Sequence, residues 1–317
     1  MKKKKVVVIG GGNGSAIALV ALKQHINLFD ISAVIAMSDS GGSSGRLRKE
    51  LGVLPPGDIM RAILALSKYD YPLLKTIFNR NRFSVSGKLN KHNLGNLFLG
   101  LGTQYGKDFL KSVQALAESV EAVGKIFPVT LLQSDLVAQL SNNKIIKTEA
   151  VIDEPKYDRS LRIKKVWLEP RVKAYKEAIK SILEADYIVL SPGSLYTSVI
   201  AALLPIGIFE AIKKSKAKMV YVAGNAYRTR GETGPTVMSE TVSELESYLP
   251  RKIDWVLYDN HKLDKKEKNI YKDKKWGLIK FDFKNLSDVN IISFDFSRTD
   301  GGLCAIKLGK KFKQILK

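Results

Sequence analysis

Short apolar runs alternate with amphipathic stretches along most of this chain. The clearest runs cover residues 6–9 and 31–37, and between them lie a glycine-rich turn and a helix-like stretch over 16–23. Runs that are short and apolar throughout are typical of strands buried on both faces of a parallel sheet. The order of strand, glycine turn, helix and strand therefore predicts a βαβ unit at the start of the chain.

The same alternation continues before and after the middle of the chain. It predicts helices over residues 58–68, 93–104, 108–123, 171–183, 195–203, 237–249 and 303–316. It predicts strands over 187–190, 219–223 and 255–258. Strands separated by helical patterns favour an α/β fold with a parallel sheet.

The middle of the chain has a different pattern. It contains three short strand-like runs, over 129–132, 136–140 and 144–148. Asn142-Asn143 has the composition of a tight turn between two of them. Because the chain shows no repeat, linker or break in composition, we expect one domain over 1–317 with a β-rich insertion at about 125–168.

Composition and charge exclude several classes of protein. No apolar run approaches the ~18 residues that a membrane span requires, and the single cysteine, Cys304, excludes an internal disulfide. The net charge of +21 raises the question of a nucleic-acid partner. However, lysine supplies 40 of the 52 basic residues, and aromatic residues are not interleaved with them, whereas nucleic-acid recognition favours arginine and stacking aromatics. We therefore expect a cytoplasmic protein with no membrane span and no nucleic-acid partner.

The first candidate for ligand chemistry is the turn after the first strand. It consists of Gly10, Gly11, Gly12, Asn13 and Gly14. Glycines there let backbone N–H groups approach a phosphate at the positive end of the next helix. Ser15 takes the last glycine position of the dinucleotide fingerprint, and no Gly-Lys-Ser/Thr follows. The sequence thus predicts a phosphate turn that is neither a standard NAD site nor a standard ATP site.

A second loop rich in glycine and serine follows the next strand, over residues 38–46. It contains three glycines, four serines and an arginine, and Asp39, Gly42 and Ser43 are its candidate ligand contacts. Such a loop is a plausible anion site. In a parallel sheet it emerges at the same edge as the first turn, so we expect the two to act together.

Later segments supply further candidates. Asp58 follows Pro-Pro-Gly, where it would either cap a helix or hold a carboxylate beside the phosphate loops, to position a metal ion or an acceptor hydroxyl. The others are Asn93 and Asn96, spaced by three on a predicted helix, Gly193, Ser194 and Tyr196 after the strand at 187–190, Asn225 after the strand at 219–223, and Arg298 after an apolar run. For Arg298, both a ligand contact and a surface ion pair with Asp300 remain open. The three histidines form no metal-binding pattern, and no nucleophile motif is visible.

Together these segments resemble a known family. They occur in the order found in the CofD-like superfamily: GGGNG, SDSGGSSGRLR, PPGDI, HNLGN, SPGSLYTS, GETGP and SRTD. The chain is most similar to the YvcK branch, also called the gluconeogenesis-factor family. The resemblance implies a three-layer αβα fold around a mainly parallel, Rossmann-like sheet. It also implies a nucleotide-derived ligand, because YvcK-like proteins bind UDP-sugars, notably UDP-N-acetylglucosamine, and influence cell-wall synthesis, cell shape and carbon metabolism.

The resemblance also implies roles for individual residues. By similarity, the diphosphate would lie near Gly11, Gly12, Asn13 and Gly14, the acceptor near Asp58, and the rest of the ligand near Asn225 and Arg298. CofD itself is 2-phospho-L-lactate transferase and uses magnesium, so a CofD-like transferase is the alternative function. This chain has Ser40 where YvcK relatives usually carry a second aspartate, which favours binding over transfer. We expect a nucleotide-sugar-binding regulator with no certain cofactor, with magnesium only if it is a transferase, and we leave a homodimer open.

Overall fold

The central feature of the fold is a seven-stranded sheet in which every neighbouring pair of strands is parallel. The structure is a computed structural model, and it describes residues 2–84, 87–282, 285–286 and 289–316. Helices cover both faces of the sheet, and a small antiparallel sheet stands beside it. The three-layer, Rossmann-like α/β architecture is therefore confirmed.

The strands of the described chain are β1 (Lys4–Gly10), β2 (Phe29–Ile35), β3 (Lys125–Pro128), β4 (Asp135–Leu140), β5 (Ile145–Lys147), β6 (Ile163–Glu169), β7 (Tyr187–Leu190), β8 (Lys218–Ala223), β9 (Ala226–Arg228), β10 (Trp255–Asp259), β11 (Trp276–Leu278) and β12 (Asn290–Phe294). The strands at the centre of the sheet, β1, β7 and β8, are apolar and almost fully buried, as expected for strands covered on both faces.

The α-helices of the described chain are α1 (Gly12–Lys23), α2 (Gly42–Leu51), α3 (Gly57–Leu66), α4 (Tyr71–Lys75), α5 (Leu94–Gly106), α6 (Phe109–Ser119), α7 (Glu149–Asp153), α8 (Lys176–Leu183), α9 (Ile208–Lys214), α10 (Met238–Glu246), α11 (Lys265–Asp273) and α12 (Ala305–Ile315). Two π-helical segments, Thr76–Arg80 and Leu195–Val199, and one 3₁₀-helix, Ile200–Ala202, complete the helices of the described chain. In the part of the chain that the structure describes, no helix has both the length and the apolar character that a bilayer span requires.

The strand order reverses between β1 and β7. The sheet runs β12-β10-β8-β7-β1-β2-β3, so the chain moves outward in one direction from β1 and in the other direction from β7. Right-handed crossovers in opposite directions place their helices on opposite faces of the sheet. In agreement, α1 packs with α3 and α12, whereas α8 packs with α9. The crevice between the turns after β1 and β7 is therefore the place where ligands bind in folds of this kind.

The β-rich insertion begins later than we predicted. Residues 125–128 form β3, which pairs with β2 at the edge of the main sheet, and the insertion consists of β4, β5, β6 and the short helix α7. The strand predicted over 129–132 is wrong, because the apolar side chains of Leu131 and Leu132 that suggested it are exposed. The strand predicted over 136–140 is confirmed by β4, and the predicted turn joins it to β5.

Two glycines allow the turns after β1 and β7 to touch. A Cβ atom at Gly10 would overlap the side-chain oxygen of Ser191, and a Cβ atom at Gly14 would overlap the carbonyl oxygen of Pro192. Gly10 also has a φ of +153°, a backbone conformation that residues with a side chain rarely adopt. The approach of the two turns at the strand reversal thus depends on the absence of side chains at these positions.

We predict that Gly14→Ala destabilises the fold. The new methyl group meets backbone rather than a flexible side chain, so the turns must separate, at a cost of about 1–3 kcal/mol, the usual range for overpacking. Urea unfolding followed by circular dichroism measures the loss. Gly106→Ala is the matched control, since a Cβ atom at the C-terminal residue of α5 meets no atom within 4 Å. Equal stability of the two variants would show that the turns after β1 and β7 are not in close contact.

Candidate functional site

A cavity of about 730 Å³ opens where the strand order reverses. Its walls come from the turns after β1, β2, β7 and β8, from α7 and from the antiparallel ribbon of β9 and β11. The predicted site residues that line it are Gly11, Gly12, Asn13, Gly14, Asp39, Gly42, Asp58, Gly193, Ser194 and Asn225. Segments distant in the sequence therefore meet around one space, and this space is the candidate functional site.

The N-terminal turn of α1 faces the cavity. Gly11 is the N-cap residue, and having no side chain it cannot cap the helix. The Asp58 carboxylate accepts the backbone N–H of Gly12. The next two N–H groups, of Asn13 and Gly14, belong to a helical turn that has no intrahelical acceptor for them. Lys75 donates from Nζ to Asn13 Oδ1 at 3.1 Å, which adds a positive charge at the same position.

Asp58 is not the N-cap that the sequence allowed. It is the second residue of α3, and the N-cap is Pro56. Its carboxylate is buried, lies against the turn after β1 and accepts a hydrogen bond from the Arg61 guanidinium. Burial raises the pKa of Asp58 above its ordinary value; the charge of Arg61 opposes this rise and the Asp39 carboxylate adds to it. The structure thus excludes the N-cap and places the carboxylate beside the turn after β1, and its role toward a ligand stays a prediction.

Glu149 is a cavity residue that the sequence did not reveal. It comes from α7 of the insertion, and its Oε2 accepts the backbone N–H of Ser40 at 3.2 Å. Ser40 in turn accepts the backbone N–H of Ala150 at its Oγ, at 2.9 Å. Burial, together with the nearby Asp39 carboxylate, raises the pKa of Glu149 to about 8. The residue at position 40 thus joins the second glycine loop to the insertion, and the raised pKa favours the protonated form of Glu149 near neutral pH.

Glu232, in the GETGP segment, is a second carboxylate whose role was missed. It accepts the backbone N–H groups of Tyr196 at 3.2 Å and Thr197 at 3.1 Å. Burial is the main cause that raises the pKa of Glu232 to about 7, and the charge of Asp153 adds to it. This carboxylate therefore occupies the N-terminus of the helical segment after β7, where an anion of a ligand would otherwise be favoured.

The described part of the cavity contains no preformed metal site. Among the described residues, no group of three or more His, Cys, Asp or Glu side chains has a geometry that could hold a metal ion. The two nearest candidates are already engaged, since Asp58 pairs with Arg61 and Asp39 Oδ1 accepts the N–H of Gly41 at 2.9 Å.

Asn225 lines the cavity but directs its amide nitrogen inward. Asn225 Nδ2 donates to Asp259 Oδ2 at 2.8 Å, and it also lies 3.1 Å from Ser297 Oγ and 3.2 Å from the Tyr271 hydroxyl. The side chain is buried in this polar network. It therefore fixes the start of the loop that contains Glu232, and its contact with a ligand stays a prediction.

Four predicted contacts lie behind the cavity wall instead. Ser43 Oγ hydrogen-bonds His92 Nδ1 at 2.8 Å. Asn93 caps α5 by accepting the N–H of Asn96 at 2.7 Å, and the hydroxyl of buried Tyr196 donates to Ile163 O at 3.4 Å. Asn93, Asn96, Ser43 and Tyr196 are absent from the cavity lining. Ser43, Asn93 and Tyr196 are therefore hydrogen-bonded within the protein, whereas Asn96 Oδ1 is buried without a hydrogen-bond partner. Ligand contacts by these four residues stay predictions.

Arg298 also lies outside the lining. Its guanidinium pairs with Asp300 through two contacts, Nε to Oδ1 at 2.8 Å and Nη2 to Oδ2 at 2.9 Å. Both side chains are largely exposed. The structure thus forms the surface ion pair that the sequence left open, whereas Gly302 and Leu303, slightly further along, do reach the cavity.

We predict that Glu149→Gln removes a pH dependence of stability. The folded protein keeps a proton on Glu149 up to about pH 8, whereas the unfolded chain loses it near pH 4.5. Between these values the folded state binds more protons, so its free energy of unfolding falls as pH rises. The amide can still accept the N–H of Ser40 and has no charge to bury. Urea titrations should show equal stability near the acidic end of this window and a more stable variant near its alkaline end. A constant difference across the window would contradict the raised pKa.

Comparison with known proteins identifies the family of this chain. The family described as "2-phospho-L-lactate transferase CofD" matches residues 6–296. A "Putative gluconeogenesis factor" of Thermotoga maritima is 38% identical over 285 residues, which cover 90% of this chain and 88% of that protein. The "Gluconeogenesis factor" of Bacillus subtilis is 34% identical over 292 residues, with 92% and 89% covered. A crystal structure of a Bacillus halodurans protein, 34% identical, matches over the full length of both chains with a TM-score of 0.89. This chain therefore belongs to the CofD family and is a relative of the gluconeogenesis factors.

Proposed function

We propose that the cavity binds a nucleotide-sugar, a UDP-sugar such as UDP-N-acetylglucosamine, and that the protein is a cytoplasmic regulator of cell-wall and carbon metabolism. One observation carries the proposal. The first turn of α1, which has no side-chain cap from Gly11, faces a cavity of about 730 Å³ at the strand reversal. A helix N-terminus in this position favours a phosphate, and the volume lies in the usual ~300–1,000 Å³ range of small-molecule sites.

The lining supports one orientation of the ligand. The diphosphate fits at Asn13 and Gly14, next to the ammonium group of Lys75. At another part of the wall, Tyr227 and Trp276 supply aromatic rings against which a base can stack. The proposed ligand therefore spans the cavity from the turn after β1 to the ribbon of β9 and β11.

The charge of the cavity is compatible with an anionic ligand. Several carboxylates line it, which by itself would repel a diphosphate. However, the raised pKa values of Glu149, to about 8, and Glu232, to about 7, reduce their negative charge near neutral pH. Asp153 is paired with the guanidinium of Arg228 at 2.5 Å, so its charge is also compensated.

The regulatory part of the proposal comes from the relatives. The proteins that match over most of their length are called gluconeogenesis factors, a name that describes an effect on metabolism rather than a reaction. Ser40 supports the same interpretation, since its hydroxyl holds α7 and supplies no carboxylate for a metal. The single cysteine is consistent with a cytoplasmic location.

A thermal-shift titration tests the proposed ligand. We expect UDP-N-acetylglucosamine to raise the melting temperature and NAD to leave it unchanged, because Ser15 breaks the dinucleotide fingerprint. A ligand at about 100 times its dissociation constant stabilises a protein by about 2.7 kcal/mol, which such a titration resolves. A shift with NAD and none with UDP-sugars would contradict the proposal.

Two variants test whether the ligand binds in the cavity. Asn13→Asp puts a carboxylate in the first turn of α1, which suits the helix dipole but repels a diphosphate, so the protein should fold and lose the shift. Asn142→Asp makes the same change in the turn between β4 and β5, where Asn142 Oδ1 accepts the N–H of Lys144 and an aspartate would do the same. It should keep the full shift. Equal effects of the two variants would place the ligand elsewhere.

The environment of Asp58 supports group transfer as a second candidate function. A buried carboxylate with a raised pKa beside a phosphate turn is typical of a group that handles a proton. The alternative function is a CofD-like transferase that moves a phospho-acyl group from a nucleotide-linked donor.

We predict that Asp58→Asn separates binding from transfer. The amide oxygen can still accept the N–H of Gly12, so UDP-sugar binding should be largely unchanged. If the protein is a transferase, release of nucleotide from a nucleotide-linked donor, followed by ³¹P NMR, should stop in the variant. Loss of UDP-sugar binding in Asp58→Asn would show that Asp58 belongs to the nucleotide site itself. Release at the wild-type rate would exclude a catalytic role for Asp58.

A further inference from the structure

A second hollow, of about 470 Å³, lies beside the ribbon of β9 and β11 and outside the proposed ligand cavity. Its lining contains four cations and no carboxylate: Arg230, Lys268, Lys272 and Lys275. Lys268 and Lys272 lie one turn apart on α11, and the other two flank the ribbon. The main cavity differs, since both carboxylates and arginines line it.

The four cations have no acidic partner. In the residues that the structure describes, none of them takes part in an ion pair or a side-chain hydrogen bond. Two neighbouring acids are engaged elsewhere, since Glu267 accepts from His261 and from the N–H of Asp264, and Asp300 pairs with Arg298. Asp273, on the same helix, forms no ion pair with any of the four cations in the described chain. Like charges held together without compensation repel one another. A bound anion would relieve this repulsion.

The backbone holds this arrangement in place. Lys275 has a φ of +55°, in the left-handed region where glycine is favoured, yet the residue here is lysine. Its carbonyl oxygen accepts both the N–H and the hydroxyl of Thr229, at 2.8 and 2.9 Å, which ties α11 to the ribbon. Lys272 lies in the last turn of the helix, where a cation is favoured.

Two aromatic residues, two leucines and Thr229 form the rest of the wall. Tyr271 and Trp276 meet edge to face with their centroids 5.3 Å apart, and Trp276 also borders the main cavity. We propose that this hollow is a second anion site, which takes a small molecule bearing two or more phosphate groups. Its concave shape and small volume suit such a molecule, and the cations supply the donors that phosphate oxygens accept.

Calorimetric titration of inorganic tripolyphosphate tests the second site. The variant is the double substitution Lys268→Gln and Lys272→Gln. Its matched control is Lys176→Gln with Lys180→Gln, which removes two exposed lysines at the same spacing from α8. All four side chains are exposed, so both variants should keep the wild-type melting temperature.

We expect the hollow variant to bind tripolyphosphate at least about tenfold more weakly than wild type, since it loses charge-assisted hydrogen bonds, and the control to bind within about twofold. Equal losses in both variants would mean that the anion responds only to net charge, and absence of binding in the wild type would also overturn the proposal. If instead only Asn13→Asp weakens binding, the anion occupies the main cavity and the second site does not exist. That outcome would leave the proposed UDP-sugar site untouched, so the two proposals fail separately.

Discussion

The close contact between the turns after β1 and β7 is the constraint on which the rest of the structure depends. Parallel strands at a reversal of strand order diverge on either side of it, and their turns leave a crevice. Here Gly10 and Gly14 let one turn lie directly against Ser191 and Pro192 of the other. The crevice is therefore closed at its base and open above. This contact fixes the start of α1, and with it the direction in which the first N–H groups face.

The insertion completes the site from outside the main sheet. The helix α7 supplies Glu149 and Asp153, and Ser40 joins this helix to the loop after β2 by two hydrogen bonds. Arg228 reaches across from the ribbon to Asp153 and Glu154. Three separate parts of the chain are thus linked around one space.

The sequence predicted the elements that local patterns determine. The bounds of β7 agree with the predicted strand at 187–190, and α1 and α3 begin within a few residues of their predicted starts. Glycine turns were also recognisable, because few other residues fit there. The sequence could not show which side chains reach the cavity. Ser43 and Tyr196 belong to suggestive motifs but do not line the cavity, whereas Glu149 lies in an insertion with no motif and becomes a cavity residue only through the tertiary fold.

Trp276 borders both the main cavity and the basic hollow, so one indole ring is a wall of two compartments. An occupant that shifts this ring on one side changes the shape available on the other. Thermodynamic linkage then requires the effect to be mutual: whatever factor the first occupant imposes on the affinity of the second, the second imposes on the first. The indole and the short ribbon that carries it would thereby couple the two sites. The concentration of one ligand would then change the affinity of the protein for the other.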